Sequence, residues 1–163
     1  VKKIFVYENS LVGRIAIAEE DGYITNLVFL NIENIDSYFE EAYIIEDTQT
    51  IKIAKQQLDE YFLGTRTTFS LPIKLAGSEF QMKVWEALAE IPYGETRSYK
   101  QIGERIGNPK ASRAVGHANN RNPVSIIIPC HRVIGSNGQM VGYGGGLDIK
   151  EQLHALEKSF TLK

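Results

Sequence analysis

Ser98-Tyr99-Lys100-Gln101-Ile102-Gly103-Glu104-Arg105-Ile106-Gly107-Asn108-Pro109-Lys110-Ala111-Ser112-Arg113-Ala114-Val115-Gly116-His117-Ala118-Asn119 reads as two short helices around a turn. Tyr99, Ile102 and Ile106 share one face of the first, expected over about 98–106. Gly107-Asn108-Pro109 turns the chain, and a second helix is expected over about 110–119 through Ala111, Ala114, Val115 and Ala118. Two short helices joined by a glycine-containing turn are the helix-turn-helix pattern. The small residues of the second helix let its backbone approach a partner closely. Residues 96–121 carry six bases (Arg97, Lys100, Arg105, Lys110, Arg113 and Arg121) against one acid, Glu104. Charge alone leaves a polyanion-facing surface and a solvated helical face equally open; a basic window falling on a helix-turn-helix favours nucleic acid.

Downstream, Ser125-Ile126-Ile127-Ile128 is expected to be a short buried strand. Val133-Ile134, the turn Gly135-Ser136-Asn137-Gly138 and Met140-Val141 form an expected hairpin, a wing beside the helices. A glycine-rich loop, 142–146, leads to a last helix that Asp148 caps, with Leu153 and Leu156 inward. Upstream, Ser78-Glu79-Phe80-Gln81 is a capping box for a helix carrying Phe80, Val84, Leu88 and Ile91 on one face. Before it, residues 2–30 read as three strands with an Asp21-Gly22 hairpin signal. A helix from Thr48 to near Gly64 follows, with Ile51, Ala54, Leu58 and Tyr61 at helical spacing. Thr65–Gly77 reads as a connector. The fold class is therefore α+β. A small strand-rich N-terminal α+β domain over 1–76 precedes a mainly helical C-terminal domain over 77–163, which holds a winged helix-turn-helix.

At 163 residues the chain has room for one domain or one with a small companion. Its 43 % apolar and 23 % charged content is ordinary globular usage, so dominant disorder is excluded. No apolar run approaches the roughly 20 residues of a membrane span, and no signal-peptide pattern opens the chain, so no membrane partner and a cytoplasmic location are expected. The net charge of −2 hides an asymmetry: residues 1–76 hold 7 bases and 12 acids, residues 77–163 hold 11 and 8. With a single cysteine, Cys130, and three scattered histidines, neither an internal disulfide nor a metal site is expected.

Pro129-Cys130-His131-Arg132 sets a thiol, an imidazole and a guanidinium together after an apolar run. A free thiol near pH 7 is only about 3 % thiolate. A neighbouring base or cation can supply the roughly 2 kcal/mol of shortfall. His131 is the candidate base, and Glu151, after the glycine loop, is the candidate acid that fixes its tautomer. An inert core thiol beside a structural imidazole is the competing reading.

Ile127-Ile128-Pro129-Cys130-His131-Arg132-Val133 resembles the active-site signature of the O6-alkylguanine-DNA alkyltransferases, the methylated-DNA–protein-cysteine methyltransferases. Phe80–Trp85, Ile91–Thr96, Ser98-Tyr99, Ser112–Gly116, Asn122-Pro123, Gly142–Leu147 and Lys150-Glu151 resemble the same family in order and spacing. The resemblance implies direct repair of O6-alkylguanine, and by extension O4-alkylthymine, in double-stranded DNA. The alkyl group would pass to Cys130 in a single turnover, after the base is flipped, with no cofactor and as a monomer. It implies His131 as proton acceptor through a water, Glu151 behind it, Asn122 holding the thiol's loop and Tyr99 assisting the leaving guanine.

The same resemblance implies that the second helix lies in the minor groove, with Arg113 filling the gap left by the base. Ser98, Ala111, Ser112, Gly116 and Asn119 would face DNA beside it, and Val133, Ser136, Tyr143, Gly144 and Gly145 would face the lesion. Gly144, His117 and Asn119 depart from the commoner family residues, which bears on how bulky an adduct fits. Some relatives hold zinc in the N-terminal domain, but this chain lacks the cysteines. A non-catalytic winged-helix DNA-binding module, with an incidental thiol, and a cysteine hydrolase are the alternatives. Homologues that do not transfer carry tryptophan in place of the thiol, which Cys130 excludes here.

Overall fold

Lys2–Asn9 (β1), Gly13–Glu20 (β2) and Tyr23–Phe29 (β3) form an antiparallel meander. The structure, a computed structural model, describes residues 1–30, 35–138 and 146–161. Asp21 and Gly22 both take positive φ, 53° and 84°, the conformation a two-residue primed turn demands. Tyr43–Ile45 (β4) adds in parallel to β1, giving the order β3-β2-β1-β4.

Strand β2 is buried on both faces because its large and small residues alternate. Ala16 and Ala18 pack with Ile4, Leu30 and Phe39 on one side. Ile15 shares the other side with its pair Tyr7, whose hydroxyl donates to Asp59 at 2.7 Å. Asp59 belongs to Gln49–Phe62 (α1), which Thr48 caps by accepting from Ile51 N–H. This helix buries Ile51, Ala54, Leu58 and Tyr61, and Ile51 and Leu58 are each worth about 1.5–3 kcal/mol of transfer. Gly64, at φ 81°, ends it with the paired Thr65-to-Glu60 and Gly64-to-Tyr61 backbone bonds. The expected connector is partly structured: Ile73 bridges Ile24, held by Ile24 N–H to Pro72 and Lys74 N–H to Ile24. The compact units accordingly run Val1–Lys74 and Leu75–Lys163.

The second unit begins at Glu79–Ala89 (α2), entered through the Ser78–Gln81 capping box. Arg97–Ser98 (β5) leads into Tyr99–Arg105 (α3), which a Ser98–Gln101 capping box starts. Gly107, at φ 81°, closes that helix with Asn108 N–H bonded to Gly103 at 2.8 Å. A Cβ on Gly103 would stand 2.8 Å from the Asn108 carbonyl, so the turn between the helices folds back over a bare backbone. Ser112–Asn120 (α4) follows, two residues later than expected at its start. Trp85 Nε1–H donates to the Ala118 carbonyl at 2.9 Å and ties α2 to α4.

Residues 125–128 are not a strand. Val124, Ile126 and Ile128 are buried in a run of turns in which Ile126 takes φ 70°. The Asn122 amide bonds to both ends of this run. Its Oδ1 accepts from Val124 N–H at 3.0 Å and its Nδ2 donates to the Ile128 carbonyl at 2.7 Å. A 3-10 turn, Cys130–Arg132, and Val133–Ile134 (β6) come next. On one edge β6 runs parallel to β5, Arg97 opposite Val133 and Ser98 opposite Ile134. Met140-Val141, the second arm of the expected wing, lies outside the described residues. The last described element is Leu147–Thr161 (α5), where Asp148 sits inside the first turn and not at the cap.

Candidate active site

Cys130 and His131 sit on the 3-10 turn, 3 % and 0 % exposed. Asn122 fixes the carbonyl of Ile128, two residues before the thiol, and Cys130 N–H bonds to that same carbonyl at 2.8 Å. The short β5–β6 pairing brings Tyr99, the residue after β5, to the strand that leaves the turn.

The acid behind His131 is Glu157. His131 Nε2 lies 2.6 Å from Glu157 Oε2, and the carboxylate is 3 % exposed. Glu151 is a correction: it is exposed and lines a surface groove with Gly94, Thr96, His154 and Lys158. Six residues along an α-helix rotate a side chain about 120° off the original face, so the two acids cannot substitute for each other. The buried face of α5 is Lys150, Leu153 and Glu157, spaced i, i+3, i+7. The available signal is that Glu157 continues the spacing of the buried apolar residues Ile149 and Leu153 at i+8 and i+4.

Glu157 is held on every side. Arg132 Nε donates to Oε1 at 2.9 Å and Nη2 to Oε2 at 3.0 Å, while Gly94 N–H donates to Oε1 at 3.1 Å. Burial pushes its carboxyl up, but the hydrogen bond from His131 and the hydrogen bonds and charge of Arg132 outweigh burial and hold it well below the usual carboxylate range. Burial pushes the imidazole of His131 down, against the pull of Glu157. The pair therefore rests as carboxylate and neutral imidazole. Nε2 carries the hydrogen toward Glu157, and Nδ1, buried and without a partner among the described residues, is left as the acceptor.

Two further groups escaped sequence reasoning. Lys150 is fully buried, donates to the Val133 carbonyl at 2.5 Å and lies 6.0 Å from the Tyr99 ring. Burial lowers it to about 8, partly offset by the charge of Cys130. His154 Nε2 lies 2.5 Å from the His131 carbonyl. Burial and then Cys130 raise Tyr99, so its phenol keeps its proton near neutrality.

The expected DNA-facing residues divide. Arg113 is exposed on α4, Ala111, Ser112 and Gly116 are half-buried, and Ser136 is exposed. Gly116 faces Tyr99, whose ring lies 3.8 Å from where a Cβ would be. Ser98 is half-buried, its hydroxyl occupied as the cap of α3. Asn119 and Val133 are buried at 1 % and 0 % exposure and offer no side-chain surface, because Asn119 shares the inward face of α4 with Val115 and Ala118. Tyr143, Gly144 and Gly145 lie outside the described residues. Among the described residues no group of three or more His, Cys, Asp or Glu side chains could hold a metal, and no helix is long and apolar enough to cross a membrane.

A helix-turn-helix followed by a buried Cys-His turn with a carboxylate behind it is the site of a DNA-modifying protein with a cysteine nucleophile. Family models for 6-O-methylguanine DNA methyltransferase match nearly the whole chain, the ribonuclease-like domain over residues 4–75 and the DNA-binding domain over 79–159. The chain belongs to the methylated-DNA–protein-cysteine methyltransferase family. It is 50 % identical to the Mycobacterium leprae member over 137 residues, 83 % of each chain. It is also 50 % identical to the constitutive Bacillus subtilis member over 149 residues, 90 % of each. The solved Mycobacterium tuberculosis O6-methylguanine methyltransferase superposes with a TM-score of 0.87 at 42 % identity, covering 98 % of this chain and 94 % of that one. The same organism's OGT in complex with DNA gives 0.88 at 42 % identity, covering 97 % and 94 %.

Proposed function

We propose that this protein repairs O6-alkylguanine in double-stranded DNA by moving the alkyl group irreversibly onto Cys130. The observation that carries the reading is a lone buried thiol one residue from an imidazole backed by a buried carboxylate. The Cys130 proton passes to His131 Nδ1, through a water where the two do not touch. Glu157 accepts from Nε2–H and stabilises the imidazolium that forms. The thiolate attacks the alkyl carbon, an S–C bond forms, and the C–O6 bond breaks with its electron pair going to the guanine. Tyr99 donates a proton to the departing base, and the proton lost by the thiol restores the phenol. The sums balance as thiol plus alkylguanine to thioether plus guanine. Among the described residues no second nucleophile is placed to release the thioether, so each molecule acts once.

The alkyl carbon is inside the duplex, so the base must leave the stack. Exposed Arg113 on α4 is placed to fill the gap, and the small residues Ala111, Ser112 and Gly116 suit a helix pressed into the minor groove. The first turn of α4 has no side-chain cap on Ala111, which leaves its N–H groups for phosphate oxygens. A reduced thiol nucleophile suits a reducing, cytoplasmic setting, and nothing in the reaction requires more than one copy of the chain. The non-catalytic module is disfavoured because it gives the buried Glu157 and Arg132 no task.

Intact-mass measurement after mixing with duplex carrying one O6-methylguanine tests this. One methyl per chain, on the peptide holding Cys130, is expected; Cys130→Ala should gain none and still bind DNA. Demethylation with repeated turnover, or binding with no mass gain, would overturn the reading.

A further inference from the structure

Arg132 is 6 % exposed and makes three hydrogen bonds at once. Two go to the opposite oxygens of Glu157 and the third, from Nη1, goes to the Ile91 carbonyl at 2.7 Å. Its guanidinium lies 5.6 Å from the Tyr93 ring, on the segment that leaves α2. Few side chains other than arginine could span these acceptors, since only a planar fork reaches both oxygens and a third group together. A packing role would need far less than a buried charge locked onto the carboxylate that His131 also uses.

We infer that Arg132 is a positioning residue that sets the protonation state of His131, by holding Glu157 in place and countering its charge so that the resting imidazole stays neutral. The inference rests on the alkyl-transfer reading above. Without a cation on the far side, the Glu157 carboxylate would draw a proton onto His131 from solvent, and Nδ1 could no longer take one from Cys130. The other groups facing this pair are His154 from α5, bonded to the His131 carbonyl, and Tyr93 beside Arg132. Neither supplies a fixed positive charge near neutrality: burial lowers His154, and Tyr93 is raised by burial and by Glu157. Lys150 adds some positive field at His154, but its hydrogen bond goes to Val133 and not to Glu157. Burial lowers His131 first, and Arg132 opposes the upward pull of Glu157, which agrees in direction.

The experiment is the rate of methyl transfer to Cys130 from O6-methylguanine duplex, followed by quenched intact mass between pH 5 and pH 9, in wild type, Arg132→Gln and Arg132→Lys. Arg132→Gln removes the charge, and the acidic limb of the rate should move up by about one pH unit. Arg132→Lys keeps a charge without the fork, and should lower the rate while leaving the limb close to wild type. Equal losses at every pH in both variants would reduce Arg132 to packing and overturn the inference. Ring-nitrogen NMR of wild type and of Arg132→Met, a second neutral variant, decides the matter if Arg132→Gln does not fold. The His131 Nδ1 midpoint should rise in Arg132→Met, and a midpoint unchanged from wild type would overturn the inference. Absence of any methyl transfer in wild type would instead sink the alkyl-transfer reading, so the two failures are distinguishable.

Discussion

Glu157 is the residue on which the chemistry and the stability of the site meet. It takes hydrogen bonds from His131, Arg132 and Gly94 and is itself buried. Glu157→Gln removes the charge those donors need. Transfer should fall by roughly 10²-fold or more, on the scale of a lost general-base partner. Stability should fall by about 3 kcal/mol, because Arg132 is left buried without its counter-charge. Glu151→Gln, on the exposed face of α5, should change both by little. Single-turnover kinetics and urea unfolding of the two variants check this, and a larger loss at Glu151 would restore it as the orienting acid. The pH sense follows from the same residue. Glu157 is held below its unfolded value, so its contribution is complete above the ordinary carboxylate range and fades as pH falls through the folded value.

At the scale of elements, the working part is α3, its glycine turn and α4. Gly103 lets Asn108 close over α3, and Trp85 holds α4 from behind through Ala118. That fixes which face of α4 points outward, and Arg113 is on it. Arg113→Ala should slow repair of a lesion in paired duplex by about tenfold or more, since a few kcal/mol of unstacking then goes uncompensated. Repair of the same lesion in single-stranded oligonucleotide should change much less. A comparison of the two substrates by quenched mass measures it, and equal slowing on both would remove Arg113 from base extrusion. The loop 122–128 shows where periodicity misleads at this scale. An apolar run bounded by Asn-Pro and Pro looks like a strand, but the Asn122 amide satisfies Val124 and Ile128 locally and winds the segment into turns.

For the molecule as a whole, two units of different character carry different loads. The first is a sheet packed on both faces, and among its described residues no chemistry gathers. The second concentrates the basic window, the thiol and the buried ionic groups. One of these, Lys150, ties global stability to alkaline pH. Burial lowers it from 10.5 to about 8. Below about 8 both folded and unfolded chains hold the proton, and the fold bears the whole cost of burying an ammonium. Between there and 10.5 the folded chain gives up its proton first, so this group's contribution rises with pH. Denaturant midpoints of wild type and Lys150→Met across pH 7 to 10.5 should therefore show wild type gaining on the variant. A constant difference across that range would show that Lys150 holds its proton throughout.

Local chemistry written along the chain was enough to expect the hairpin at Asp21-Gly22, both serine capping boxes and the helix-turn-helix, because turns, caps and helical spacing act over a few residues. It was enough to single out Cys130 and His131 as well, since they are adjacent. The partner of His131 was not legible in the same way. Glu151 and Glu157 lie on one helix with equal chemistry, and only the packing of α5 decides which is turned inward. The roles of Arg132 and Lys150, and the parallel pairing of β5 with β6, likewise exist only once distant segments meet. A carboxylate's function depends on what shares its low-dielectric surroundings, and that is a property of the folded chain and not of its order of residues.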